Sequence, residues 1–424
     1  MVEINALFFA FLAVYLLRSV TQIYLHRLNL SYLRQHGTSL PEIFQDTIDP
    51  KKLKKISLYN IDSQNFAMVT HLFHQGVFLA ILLSGFLPWL VKTITLWGYG
   101  PIVEGLIFFA VLFIIGNLLR IPFDLYENFV VEERYGFNVM TFKIWVLDLL
   151  KGIAIAIILG GLLLWLLLTL VVSIEDLWWV WAWVLMSGFE VLVLWLYPVL
   201  IAPLFNKFEP IQNESLEQQI KTLMDKVGLR MGGLFRMDAG KRSKHTNAYV
   251  TGLGRTKRIV LFDTLLSAHT GEEILAILSH EIGHWKKRHV LKQIILVELL
   301  SLAIFYGVAK FLNWALVYRT FGFSEPIFYV GLFLAGVFLS LLSYFGQPME
   351  SAILRKFERE ADDFVLGLMR TANPLCSALK RLASDNLANL TPHPLYAWFY
   401  YSHPPLTERI ARLEKEKNNG SQNF

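Results

Sequence analysis

The feature that most restricts this chain is a run of 23 residues, Gly152 to Ile174, with no charge between Lys151 and Glu175. At 1.5 Å rise per residue, about 20 apolar residues in a helix cross the hydrocarbon core of a bilayer. A second run, Pro326 to Met349, covers 24 residues between Glu325 and Glu350. Five weaker runs complete a set of seven predicted spans: Ile4–Leu25, Phe66–Val91, Pro101–Leu119, Leu177–Ala202 and Gln293–Ala309. Arg18, Glu104, Glu190 and Glu298 are embedded in them. Composition agrees, with 54% hydrophobic and only 17% charged residues, against about a quarter charged in a soluble domain. A disordered chain, a coiled coil and a soluble nucleic-acid binder are excluded, and no nucleic-acid partner is expected. Cys376 is the single cysteine, so any metal site must be built from His, Asp and Glu.

The net charge of +5 reads as topology. Arg27, Arg34, Lys51, Lys52, Lys54 and Lys55 lie between spans one and two, and Arg120 and Arg134 between three and four. Lys241, Arg242, Lys244, Lys286, Lys287 and Arg288 follow span five. The positive-inside bias over an odd number of spans places the N-terminus outside and the C-terminus in the cytosol. The first residues lack a basic leader and a small-residue cleavage pattern, so span one is expected to be retained. The predicted organisation is spans one to five in residues 1–202, a cytosolic segment in 203–289, spans six and seven in 290–349, and a second cytosolic segment in 350–424. The first segment holds a polar helix near Asn213–Val227 and a β-hairpin from Asn247 to Phe262, turning through Gly252, Leu253, Gly254 and Arg255. The second reads as polar helices broken at Pro374, Pro392 and Pro404–Pro405, with a frayed end from Lys415 to Phe424. Both segments face one side and can form a single domain interrupted by spans six and seven.

The chemistry lies in His280-Glu281-Ile282-Gly283-His284. Histidines at i and i+4 share a helical face and can reach one ion, while Glu281 is placed to take a proton from metal-bound water. Thr270 and Glu273 form a capping-box pattern at the helix start. The bland alternative is a surface pair on an amphipathic helix. A catalytic zinc needs a third protein ligand. The metzincin extension fails, because Lys287 and Val290 occupy the required positions. Glu358 is the attractive candidate, with Asp362 one turn later as a carboxylate behind a ligand histidine; spans six and seven form a hairpin that returns Glu358 to His284. His289 and His403 are the next candidates if Glu358 fails. Nine residues separate His284 from Gln293, so about 14 Å of continuing helix would place the metal at the cytosolic membrane boundary.

HEIGH, followed after a helical hairpin by FEREAD and then by YYSHPPLTERI, resembles the type I CAAX prenyl protease family of integral-membrane zinc endopeptidases. Further similar segments are RSKHTNAY from Arg242, PLFNKF from Pro203 and FVVEERYGFN from Phe129. The resemblance implies an all-α membrane fold, with seven spans around a water-filled chamber and a split cytosolic zinc domain as its cap. It implies one zinc ion per chain on His280, His284 and Glu358, with Glu281 as general base. It further implies that His403 stabilises the tetrahedral intermediate, and that Asn247 and Ala248 belong to an edge strand receiving an extended substrate. Read from local sequence, His403 would simply cap a helix and Asn247 would be a turn residue.

The expected function is a membrane-embedded zinc-dependent endopeptidase acting on peptide or protein substrates, lipidated or membrane-tethered, beside the lipid bilayer. A membrane-protein quality-control metalloprotease shares the two short motifs, and a seven-helix transporter or receptor would suit Glu190 and Glu298. The chain is shorter near the C-terminus than eukaryotic members and ends without a di-lysine signal, so a prokaryotic cell membrane is the first expected location and the endoplasmic reticulum the alternative. His71 and His74 are expected to hydrogen-bond between helices. Trp178, Trp179, Trp181 and Trp183 read as an interface belt.

Overall fold

The structure, a computed structural model, describes residues 2–229, 232–252 and 258–420. Among the described residues, seven helices are long and apolar enough to cross a membrane, as the charge-free runs required. The runs mark only the lipid-crossing part of each helix. Span one is helical over Ala6–His36, span three over Pro101–Glu132, span four over Phe142–Ser173, span five over Trp178–Phe205 and span six over His289–Leu312. Polar flanks with ordinary helix propensity continue the hydrogen-bond ladder into the soluble part. Span two is displaced from its expected position. It begins at Pro50, capped by the Asp49 carboxylate, and stops at Leu83. Gly85, at φ +85°, turns the chain into a separate short helix, Phe86–Thr95. Three further spans contain wide π turns, at Glu127–Glu132, Ala156–Gly160 and Tyr197–Ile201.

The helices meet as a ring. Span one touches two, the Phe86–Thr95 helix links two to three, and three touches four. The ring continues from four to five, five to six, six to seven and seven back to one. In spans two, four, five and six, 6% or less of the apolar window is buried; Leu82 of span two and Leu168 of span four join the plug described next, and spans four, five and six meet in a small cluster around Trp178, Ala182 and Leu312. The sequence of helix contacts closes on itself. A plug of buried apolar residues closes one end, with Phe11, Leu87, Phe108, Tyr318, Tyr329 and Leu334 at its centre.

Several outcomes at the other end differ from expectation. The predicted hairpin is half of a four-stranded sheet of β1 (Phe208–Pro210), β2 (Leu234–Met237), β3 (Ala248–Thr251) and β4 (Arg258–Phe262), in the order β1-β2-β4-β3. β3 and β4 pair antiparallel, with Ala248 opposite Leu261, while β2 and β4 run parallel; the parallel partner is non-local and leaves no short-range signal. Of the expected turn, residues 253–255 lie outside the described residues. Span seven does not end at Met349. One helix runs from Phe328 through Pro348 to Met369 and carries Glu358 directly out of the bilayer. The polar helix is Glu214–Lys226, capped by Asn213. The break at Pro374 falls between the helix that ends at Met369 and the helix Asn373–Asp385, in whose first turn the proline sits. The last helix extends through Gly420, past the point expected to fray, and residues 421–424 lie outside the described ones.

Within the spans, His74 Nδ1 lies 2.7 Å from Thr70 O on its own helix, and His71 Nε2 is buried without a partner. Neither makes the expected bond between helices. Glu298 faces span five and accepts from Ser187 Oγ at 2.5 Å. Trp178 is buried and Trp183 Nε1 donates to Ser301 Oγ, so these two members of the Trp cluster face protein and only part of it forms a belt.

Candidate metal centre

The motif helix, Gly271–Lys286, starts with the expected capping box: Thr270 and Glu273 satisfy each other's backbone N–H groups. Its apolar face, with Ile274, Ile277 and Ile282, packs on the sheet. The opposite side lies along span seven's extension. Gly283 makes this approach possible. A Cβ there would stand 3.1 Å from the backbone Cα and O of Ala361 and 3.2 Å from Phe364 Cβ. The glycine within the motif thus allows a backbone approach that a Cβ would crowd by a few tenths of an ångström.

That contact brings His280, His284 and Glu358 together, the group among the described residues whose ligand atoms converge within 4.8 Å. His280 Nε2 lies 3.1 Å from His284 Nε2 and 3.3 Å from Glu358 Oε2, while His284 Nε2 lies 3.1 Å from Glu358 Oε1. His280 and Glu358 are 6% and 5% exposed. Glu358 Oε2 has nitrogens close by, yet no hydrogen bond is directed at it. Two ring nitrogens and a carboxylate aimed at one point, with a buried acceptor left over, fit a cation. Half-buried Glu281 sits beside them, and burial raises its carboxyl above the usual range.

Asp362 Oδ1 lies 2.9 Å from His280 Nδ1. Arg409 was not anticipated. Its buried guanidinium donates to both Asp362 oxygens, at 2.6 and 2.7 Å, and reaches within 3.6 Å of Glu358 Oε2. It lies six residues beyond His403 in the same segment, and only its burial beside two carboxylates identifies it. His403 is exposed, with Nδ1 2.8 Å from Glu358 Oε2; it stands at the cluster. His289 is not among the converging ligands, and its Nδ1 lies 3.1 Å from His284 Nδ1. The continuous helix expected between metal and membrane is broken at Arg288, φ +57°, before span six begins.

β3 is an edge of the sheet and packs against the motif helix. Asn247 precedes it and is exposed, with its side-chain oxygen accepting from Ala248 N at 2.8 Å and its carbonyl from Phe262 N. Asn386 holds the approach to this strand, accepting from Thr246 N at 2.9 Å and donating to Thr246 O at 3.2 Å. Arg242 ties the same segment to span four through both oxygens of Asp148, at 2.6 and 2.9 Å.

Comparison with known proteins agrees with this geometry. Residues 29–207 match the family model described as CAAX prenyl protease N-terminal, five membrane helices, and residues 210–417 match peptidase family M48. CAAX prenyl protease 1 of Saccharomyces cerevisiae is 32% identical over 419 residues, covering 91% of this chain and 92% of the relative. The Arabidopsis thaliana homologue is 34% identical over 393 residues, covering 89% and 91%. The crystal structure of S. mikatae Ste24p superposes with a TM-score of 0.88 at 32% identity, covering 97% of this chain and 100% of that one. A seven-helix ring with a peptidase motif, matched over about nine-tenths of the chain by these relatives, means that the chain belongs to the CAAX prenyl protease 1 family of membrane metalloendopeptidases.

Proposed function

We propose that the metal is zinc, one per chain, held by His280, His284 and Glu358, and that the enzyme cleaves lipidated or membrane-tethered peptides. The observation that carries this reading is the spacing of the three donors. A tetrahedral site with bonds of about 2.0–2.1 Å has edges of about 3.3 Å, and the separations here are 3.1, 3.3 and 3.1 Å. Zinc bound there supplies a Lewis acid that polarises the scissile carbonyl and acidifies the attacking water. Glu281 takes the water's proton, a task suited by a carboxyl raised through burial. His403, exposed beside the ligand carboxylate, donates toward the negative charge that develops on the carbonyl oxygen. The peptide lies extended along the edge of β3 at Asn247 and Ala248, where main-chain hydrogen bonds align it whatever its side chains. Asp362 orients His280 from behind.

The two halves of the site, residues 203–289 and 350–424, act as one cytosolic domain interrupted by spans six and seven, with the N-terminus outside, as the basic loops require. The location is proposed as a prokaryotic cell membrane, with the endoplasmic reticulum as the alternative; the relatives named above are eukaryotic and speak for the alternative. A substrate anchored in lipid presents its peptide at the height where span seven leaves the bilayer, which favours it over a soluble one.

Metal analysis and kinetics on matched peptides with and without a lipid anchor test this reading. The purified protein should hold one zinc per chain, Glu281→Gln should keep it, and turnover in that variant should fall by about 10²–10⁴-fold. His403→Ala should lower turnover with little change in apparent affinity. Near-normal turnover in Glu281→Gln would remove the mechanism, and equal rates on both peptides would remove the substrate class.

A further inference from the structure

The two motif histidines are supported from behind by different means. His280 Nδ1 meets the Asp362 carboxylate directly, at 2.9 Å. Behind His284 stands another histidine: His284 Nδ1 is 3.1 Å from His289 Nδ1, and His289 Nε2 is 3.0 Å from Glu360 Oε2. The side chain of His289 is 2% exposed. Its ring lies flat on Phe357, with centroids 4.2 Å apart and planes 9° from parallel.

The backbone is shaped for this contact. Along an unbroken helix at 3.6 residues per turn, a residue five positions on points about 140° away. The left-handed turn at Arg288 starts a new helix at His289 and folds that side chain back beneath His284. Such a conformation is uncommon for a residue other than glycine, asparagine or aspartate. Glu360 reaches the far side of the ring from the same helix as Glu358, two residues beyond it.

Proton positions then follow from the donor inventory. A nitrogen that binds a metal carries no proton, so His284, binding through Nε2, keeps its proton on Nδ1 and donates to His289 Nδ1. His289 must then carry its own proton on Nε2, and donates it to Glu360. Each nitrogen has one role, and the sequence of bonds is consistent in that direction.

We propose that His289 and Glu360 are positioning residues that fix the tautomer and ring orientation of His284 for the metal. The inference rests on the ligand set proposed above. It gives the two ligands unequal support: a buried, arginine-paired carboxylate behind His280, and behind His284 a neutral imidazole leading to a carboxylate that is 29% exposed beside Lys292 and Lys356.

Zinc affinity of the purified full-length protein, measured by competition with a chelator, tests it without recourse to activity. His289→Phe keeps the stack on Phe357 and removes both ring nitrogens; affinity should fall about 10–100-fold. His289→Gln, whose side-chain oxygen can still accept from His284, should recover much of that loss. Glu360→Ala, at a part-exposed position that does not threaten folding, should weaken zinc by a smaller factor. Wild-type affinity in His289→Phe and Glu360→Ala, or losses equal in the Phe and Gln variants, would overturn the proposal. Glu358→Ala separates the two levels. Full zinc retention there removes the ligand set itself, whereas zinc loss confined to Glu358→Ala leaves the ligands standing and removes only the His289–Glu360 support.

Discussion

The two ends of the helix ring are closed by opposite chemistries. Away from the metal centre, Phe11, Leu87, Phe108, Tyr318, Tyr329 and Leu334 pack into an apolar plug, each 2% exposed or less. At the centre itself, His280, Glu358, Asp362 and Arg409 are all buried, at 6%, 5%, 1% and 8% exposure. Apolar packing is non-directional and tolerates shape-conserving exchange. Buried charges have no such tolerance, because each depends on a named partner at a defined distance. One end can therefore seal a membrane space with many interchangeable residues, while the other fixes a reactive geometry with a few irreplaceable ones.

The largest expected effect separates the ends most sharply. Arg409→Met replaces the guanidinium with an apolar side chain and leaves Asp362 buried with only His280 Nδ1 as a partner. Loss of one member of a buried pair costs about 3–5 kcal/mol, measurable by denaturation in detergent, and zinc retention should fall with it. Arg409→Lys should rescue little, since a single ammonium cannot bridge both oxygens of Asp362 as the guanidinium fork does. A loss below about 1 kcal/mol would mean that this end is held by packing, like the plug.

The plug gives an effect of similar or smaller size that is differently distributed. Leu334→Ala should cost about 2–5 kcal/mol, depending on how far the neighbouring rings collapse. Leu334→Met should cost less than about 1.5 kcal/mol. Both should leave turnover per folded, zinc-loaded molecule unchanged, because no plug residue touches the site. A change in turnover on matched peptides in Leu334→Met would show the two ends to be coupled through the ring.

The same contrast explains what the sequence could reveal. Spans and motif were legible because both are local: a charge-free run declares a helix in lipid, and i, i+4 spacing declares a shared face, as for His280 with His284 and Glu358 with Asp362. Features made by non-local packing were hidden. The parallel pairing of β2 with β4 joins segments that show no mutual periodicity. The role of Gly283 depends on Ala361 across a helix contact, and Arg409 gains meaning only where two buried carboxylates meet it. His289 was visible as a residue near the motif, but the break at Arg288 that turns it toward His284 carries no glycine or proline to announce it. Hydropathy continues across Ser84 and Gly85, so the apolar run for span two overshoots the point where the backbone turns.

The smallest effect concerns the junction between the motif helix and its neighbour. Glu273 is buried and accepts from Thr270 N at 2.9 Å and from Ser377 Oγ at 2.6 Å, with Arg381 Nε 3.1–3.2 Å away. It closes the cap and ties the helix to Asn373–Asp385. Glu273→Ala removes the reciprocal half of the capping box and should cost about 1 kcal/mol, less than either change above. Burial pushes the Glu273 carboxyl up, but the bonds from Ser377 and Thr270 and the charge of Arg381 outweigh it and hold it below the ordinary glutamate range. A carboxyl depressed in the folded state contributes fully above its unfolded pKa, about 4.3, and loses that contribution as pH falls through the lowered value. Stability should therefore decline more steeply with acid in the wild type than in Glu273→Ala, with the two converging at low pH. Parallel acid profiles would show the cap to act through shape alone, and the charged end of the molecule would then stop at the Asp362–Arg409 pair.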